Sequence, residues 1–436
     1  MRTLIRLASA SAWSRRSALM LVACSVAVSA ALLSAVVQLR TDARTSFSQA
    51  VSGVDLIVAA RSGASEILLY NAFQIGRPTA NIDASVLDRV RGLAGVAWAF
   101  PIQLGDSHRG HPVWGTEQIF FKHYMASGRA LSFAQGRPWG NPMDPEPSKA
   151  MSSTFELVAG AAFAAKFNLK LGDRLVLTHG IAEGPLARTH DAHPFTVVGI
   201  LAPTGAPIDR AGLVPVQGFE AIHLGWDIPG LGSLRLGGMA PESIDPAMLA
   251  PRSFTSIWLG LESRGQVFSV RRNIESMDGG GVAAVMPGVA LDELWRVVSV
   301  VENALALVGA LASLAALLSV AAVLLVSLQG RRREFAVLRS LGLSPAGLLK
   351  LIVVETTLVV MAGLVLGGTA QQLLVFLSAD WLRTELGLVV SMLTWPAEAW
   401  WTFLTILVAA ILIGAIPAWR AYRISLADGL SPPSIG

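Results

Sequence analysis

Three histidines and an acid fall close together at His179, His190, Asp191 and His193, and a further histidine follows at His223. Imidazole and carboxylate groups are the ligands of zinc and other transition ions. The spacing matches no tight metal motif, so histidines of surface loops are the plainer reading of the same residues. No nucleophile elbow and no metalloprotease helix occurs, and the other serines and acids are scattered. A phosphate-binding loop needs Gly-Lys-Ser/Thr, and none of the lysines follows a glycine. The chain is therefore not expected to be an enzyme or to bind ATP or any other cofactor itself. Its single cysteine, Cys24, excludes an internal disulfide.

Other polar or small residues stand inside apolar runs. Glu355 lies in one such run, about a turn and a half beyond Lys350. An acid in a membrane helix is a functional candidate. Near the end of its run, it is expected to pair with a loop arginine and fix the helix. Gly363 and Gly367 form a GxxxG pair, which lets two helices approach closely. A packing role is expected for both.

The elements that hold these residues follow from composition. The 436 residues are 53% hydrophobic and only 15% charged, against ~25% charged in soluble domains. The apolar excess sits in four runs: Ser17–Leu39, Val297–Leu328, Leu348–Phe376 and Ala399–Ala418. Each reaches the ~20 residues that cross a hydrocarbon core of ~30 Å. Backbone groups cannot stay unpaired in lipid, so each run is expected to be a helix. The second run would span roughly 48 Å, and its first part carries Glu302 and Asn303. That part is expected to stand in water as a stalk, with a kinked or strongly tilted span as the alternative. Leu21–Cys24 resembles a lipoprotein cleavage box, but the apolar run continues well past it, as in a retained anchor.

Basic residues orient the spans. Arg2, Arg6, Arg15 and Arg16 precede the first run. Arg331, Arg332, Arg333, Arg339 and Lys350 lie between or beside the second and third, and Arg420 and Arg423 follow the fourth. Only Glu334 and Asp428 oppose them, while the rest of the chain is net acidic. The positive-inside rule puts both termini and the 329–347 loop in the cytoplasm. Trp395, Trp400 and Trp401 would mark the outer interface, and Trp419 and Tyr422 the inner one. The net charge of +4 reflects this topology, so no nucleic-acid partner is expected.

Residues 40–296 then form one outer α+β domain inserted between the first and second membrane helices. Strand-like 54–60, helical 85–91 and strand-like 96–104 are echoed by 254–262, 264–276 and 281–287. These flanks are expected to pair around a central insert of about 105–250. In that insert, 155–167 reads as a helix, 174–179 and 195–201 as strands, and 136–149 as a loop.

The 329–347 loop carries the most specific pattern. Phe335, Leu338 and Leu341 share one face of a helix over Arg331–Leu341, with arginines elsewhere. Gly342 suits a helix C-cap, and Ser344-Pro345 suits the start of the next helix. A basic amphipathic helix of this kind either lies on anionic lipid or docks in a partner's groove. The segment RRREFAVLRSLGLSPAGLLKLIVVE (331–355) resembles the signature of the FtsX/MacB-like permease family of type VII ABC transporters. IPAWRAYRISLADGL (416–430) resembles that family's closing motif. AAFAAKFNLKLGDRLVL (161–177) and FTVVGILAPTGAPIDR (195–210) are similar to its periplasmic core domain.

The resemblance implies an inner-membrane permease of three parts: residues 1–39, a periplasmic core domain at 40–296, and an FtsX-like permease domain at 297–436. It implies that Arg331, Arg332, Arg333, Glu334, Phe335, Leu338, Arg339, Leu341 and Gly342 form a coupling helix on a separate ABC ATPase, which would bind ATP and Mg2+. It also implies a second permease copy or a related permease, and a mechanotransmission mechanism that exports or extracts a substrate. The alternatives are a transmembrane signal transmitter acting on a periplasmic partner protein, and a metal- or haem-linked transport system.

Overall fold

Apolar length becomes helix at all four runs. The computed structural model describes residues 16–76, 78, 80–126, 128–180, 190, 193–223, 249–277, 281–386 and 390–423. Long helices cover Arg16–Ala50, Pro287–Gly330, Pro345–Leu386 and Ala397–Arg423. Each is long and apolar enough to cross a membrane. The first runs unbroken through Cys24. The second runs unbroken from Pro287, ahead of its apolar run. The chain divides into two compact units, one built from Met1–Asp42, Val298–Ala379 and Val390–Gly436, the other from Ala43–Val297 and Asp380–Val389.

In the helical unit, Val22, Val26, Val320, Leu324, Leu348, Ile352, Val360, Phe403 and Ile406 share one buried cluster. Gly363 and Gly367 bring the third helix onto the first. A Cβ on Gly367 would lie 2.3 Å from the Ala27 carbonyl oxygen, and one on Gly363 would lie 2.8 Å from that of Ala23. Only residues without a side chain permit that approach. Ser34, Ser313 and Thr356 return their hydroxyls to carbonyls four residues earlier, which keeps these groups paired away from water.

The other unit is organised by one mixed sheet of eleven strands among the described residues. In chain order they are β1 (Leu56–Ala60), β2 (Val96–His108), β3 (His111–Thr116), β4 (Phe133–Gly136), β5 (Glu156–Ala159), β6 (Arg174–Leu175), β7 (Thr178–His179), β8 (Phe195–Leu201), β9 (Gly212–Pro215), β10 (Ser256–Leu261) and β11 (Val282–Val285). The main path runs β11-β1-β10-β2-β3-β9-β5-β8-β4, with β7 added to β2 and β6 to β8. The β3–β9 and β5–β8 pairs are parallel and the others antiparallel. Strands from the two ends of the domain are thus neighbours: β1 lies between β10 and β11, with Ile57 opposite both Trp258 and Val285.

Three local expectations change. Residues 155–167 are not one helix. Glu156–Ala159 is a strand buried along its whole length, and a helix begins only at Ala161. Full burial removes the polar–apolar alternation that would have marked a strand. Gly160 makes the break, because a Cβ there would lie 2.3 Å from the Ile208 carbonyl oxygen. The strand expected at 96–104 continues to His108 through a bulge, where the register against β3 shifts between Gln103 and Asp106. Gly105 holds φ +149° there. The 136–149 segment also ends as the start of a helix, Pro147–Thr154, with proline in its first turn.

Gly367→Val should push its side chain against the backbone of Ala27. We expect a loss of stability at or above the ~1–3 kcal/mol of ordinary overpacking. Thermal unfolding of the purified full chain in detergent measures it, and Gly363→Ala should cost less.

Candidate functional site

Among the described residues, two groups of buried polar side chains bear on function. The first lies where the second long helix gives way to the loop helix Arg332–Ser340. Its amphipathic sequence makes it helical, and Gly342 at φ +95° ends it. Leu343 donates its N–H to the Leu338 carbonyl at 3.0 Å, and Ser344 caps the third helix through the Gly347 N–H at 3.1 Å.

Arg331 is the hinge of this turn. Its Nη1 lies 3.0 Å from Glu355 Oε2 and its Nε lies 2.8 Å from Glu334 Oε2. Its guanidinium also stands 4.8 Å from the Phe335 ring centroid. The Arg331 and Glu355 side chains are only 7% and 3% exposed. Glu355 therefore pairs with a loop arginine, and it ties that loop to the third helix.

Of the face expected to meet a partner, Phe335 and Leu338 are turned inward and Leu341 stays outside. Phe335 is buried in the cluster of the long helices, with Leu338 half-buried beside it. The apolar side chains left outside are Val337 and Leu341, at 53% and 79% exposed. Sequence periodicity finds an apolar face but not its occupant, and here the chain's own helices take it. Arg339 is half-buried, and the side chains of Arg332 and Arg333 lie outside the described residues.

The second group lies in the sheet unit. The bulge at Gly105 turns Asp106 into the interior, where its side chain is 0% exposed. β7 pairs with β2 and sets His179 opposite Asp106. His190 is held by its N–H on the Leu177 carbonyl at 2.8 Å. His223 follows the short helix Val216–Ala221. Three ring nitrogens converge on the carboxylate. His179 Nδ1 lies 3.1 Å and His190 Nε2 3.6 Å from Oδ1, and His223 Nε2 lies 3.3 Å from Oδ2. His179 Nδ1 and His223 Nε2 are 3.3 Å apart.

Burial of Asp106 acts to raise its pKa. The imidazoles of His179, His190 and His223 gathered around it outweigh this and hold the carboxyl well below the usual carboxylate range. Burial of His223 acts to lower its imidazole pKa, and the Asp106 carboxylate outweighs it and pushes the pKa up.

This grouping agrees with the sequence expectation at one point and differs from it at two. His179, His190 and His223 do meet. His193 does not join them; its ring stacks on Phe155 at 5.2 Å with an interplanar angle of 2°. Asp191 lies outside the described residues. The acid of the group is Asp106, which sequence spacing missed because the strand expected at 96–104 stops short of it.

Comparison with known proteins bears on the whole chain. Residues 19–276 match the family model described as MacB-like periplasmic core domain. Residues 306–426 match the model described as FtsX-like permease C-terminal. Among solved structures, the periplasmic region of MacB from Actinobacillus actinomycetemcomitans is 13% identical. It covers 57% of this chain and 97% of its own, with a TM-score of 0.33. The extracellular domain of the noncanonic ABC-type transporter YknZ from Gram-positive bacteria is 12% identical. It covers 53% of this chain and 98% of its own, with a TM-score of 0.29. No curated protein sequence matches the chain.

Glu355→Ala would strand Arg331 in a buried site. Breaking one side of a buried pair typically costs ~3–5 kcal/mol. Glu334 is largely exposed, so Glu334→Ala should cost no more than ~1 kcal/mol. Thermal unfolding of the detergent-solubilised variants should separate the two. Pairing Glu355→Leu with Arg331→Met should recover most of the loss.

Proposed function

Because this chain belongs to the permease family defined by a MacB-like periplasmic core domain and an FtsX-like C-terminal region, we propose that it is the membrane subunit of an ABC transporter driven by a separate ATPase. It is a multi-pass inner-membrane protein. In our reading, both termini and the loop helix face the cytoplasm, as the arginines at 331–333 and 339 favour. ATP and Mg2+ would bind the partner subunit.

The observation that carries this reading is the loop helix itself. A mobile basic segment beside a bilayer would suit lipid binding alone. Here the helix is capped by Gly342, seated through Phe335 and locked by a buried ion pair to the third membrane helix. A lever must be rigid to pass on a displacement, and these contacts supply rigidity. Closure of the ATPase would push the loop helix, and the Arg331–Glu355 pair would carry the push into the third helix. This mechanotransmission needs no continuous channel. The substrate would be exported or extracted on the periplasmic side. A second permease copy belongs to this reading through the family.

The partner surface in this reading centres on Val337 and Leu341. Val337→Asp with Leu341→Asp should abolish co-purification of the ATPase while leaving the permease's own unfolding temperature nearly unchanged. Phe335→Asp should instead lower that temperature. Retention of an active ATPase by the Val337/Leu341 double variant would sink the docking assignment.

A further inference from the structure

We propose that Asp106, His179, His190 and His223 form a closed binding site for one divalent transition ion of the zinc class, which clamps the β7 edge of the periplasmic sheet. The site lies wholly within the sheet unit and stands whether or not the chain works with an ATPase.

The geometry carries the assignment. One ligand atom from each of the four residues lies within 4.8 Å of all the others. With bonds of ~2.0–2.1 Å, the edges of a tetrahedron around zinc are about 3.3 Å long. With Asp106 Oδ1 as the carboxylate ligand, three of the edges are 3.1 Å to His179 Nδ1, 3.6 Å to His190 Nε2 and 3.3 Å between His179 Nδ1 and His223 Nε2, and His223 Nε2 lies 3.3 Å from the other carboxylate oxygen. An ion can therefore enter with small movements of the side chains. Three imidazoles and a carboxylate suit zinc, cobalt or nickel, whereas magnesium and calcium prefer oxygen ligands.

The support around the ligands fits as well. His223 Nδ1 lies 2.8 Å from the Phe219 carbonyl oxygen. A carbonyl only accepts, so Nδ1 carries hydrogen there and Nε2 is left to face the cluster. A backbone carbonyl behind a histidine is the usual way to fix the tautomer and angle of a metal ligand. The Gly105 bulge plays the matching part for Asp106. His190 and Asp106 are buried, while His179 is half exposed, so an ion has a way in from solvent.

Four protein ligands leave no vacant position on a tetrahedral ion, which is the mark of a structural rather than a catalytic site. The ligands also show what it would hold. β7 has two residues, and around it Ser107 Oγ donates to the Gly180 carbonyl at 2.5 Å and Gly180 donates to the Gly105 carbonyl at 2.8 Å. Such a short ladder is a weak anchor. The ion would join it to β2 and to the residue after the Val216–Ala221 helix.

The test uses the full chain in detergent, with any affinity tag of histidines removed. After chelation and dialysis it is titrated with Zn2+ alone and, separately, with Co2+. We expect one equivalent by elemental analysis, an intense visible spectrum of tetrahedral type with Co2+, and a rise in unfolding temperature that Mg2+ does not give. Chelation should speed amide exchange at 177–180 and 219–223. His179→Ala and Asp106→Asn should each weaken Zn2+ binding by at least the ~10–100-fold seen when mere supporting contacts are lost. Both should unfold near the wild-type temperature in chelator. If Asp106→Asn does not fold, His179→Ala decides alone, since its side chain reaches solvent. His193→Ala should bind Zn2+ like the wild type. No stoichiometric ion in the wild type, undiminished binding in His179→Ala, or a weak octahedral Co2+ spectrum would each overturn the proposal.

Discussion

No water reaches the hydrocarbon interior of a bilayer, and much of this chain answers to that constraint. Every backbone N–H and C=O at that depth must find a partner in its own segment, so four long helices are the available solution. The constraint then reaches the side chains. Serine and threonine hydroxyls turn back to carbonyls of their own helices. Apolar attraction between helices is weak when the solvent is itself apolar. Close contact then comes from small residues such as Gly363 and Gly367.

Apolar packing alone would let helices slide past one another, so register has to come from polar contacts. The helical unit has two sets of them. One is Arg331 with Glu334 and Glu355. The other joins the first and third helices to the segment before the fourth. Gln371 donates to Gln38 at 2.8 Å, Trp395 donates to Gln371 at 2.9 Å, Gln38 donates to the Ser391 carbonyl at 2.5 Å, and Ser391 Oγ donates to Asp42 at 2.7 Å. Glu302 is largely covered and pairs with Arg40 at 3.2 Å. Desolvating such groups is costly, and their reward is directional. A bundle cross-linked in this way holds its register better than a greasy one.

The sequence made the long helices legible because length and hydropathy are local quantities. The loop helix, its Gly342 cap and the restart at Pro345 were legible for the same reason, through capping chemistry. Local signals failed where a nonlocal partner decided the outcome. Glu156–Ala159 reads as helix because a fully buried strand shows no alternation, and only the approach of Ile208 explains the break at Gly160. Phe335 and Leu338 look like a docking face because periodicity does not say who occupies it. His179, His190 and His223 stood out by residue type. Asp106 did not, because it lies 73 residues from His179 and depends on a bulge just past the strand expected at 96–104.

The buried histidine cluster also has to be weighed by magnitude. A typical intramolecular hydrogen bond contributes ~0.5–1.5 kcal/mol net. The two-residue β7 ladder therefore offers little to hold His179 and its neighbours against the ~1–2 kcal/mol of backbone entropy that each ordered residue costs. Structural zinc in small peptides contributes ~10–16 kcal/mol of apparent binding free energy at neutral pH. Even a fraction of that exceeds everything else at this edge. The main strands are held by burial along their length, whereas the order of this edge would depend on one ion. The edge would then be firm when the ion is bound and loose when it is not, with the central sheet unaffected.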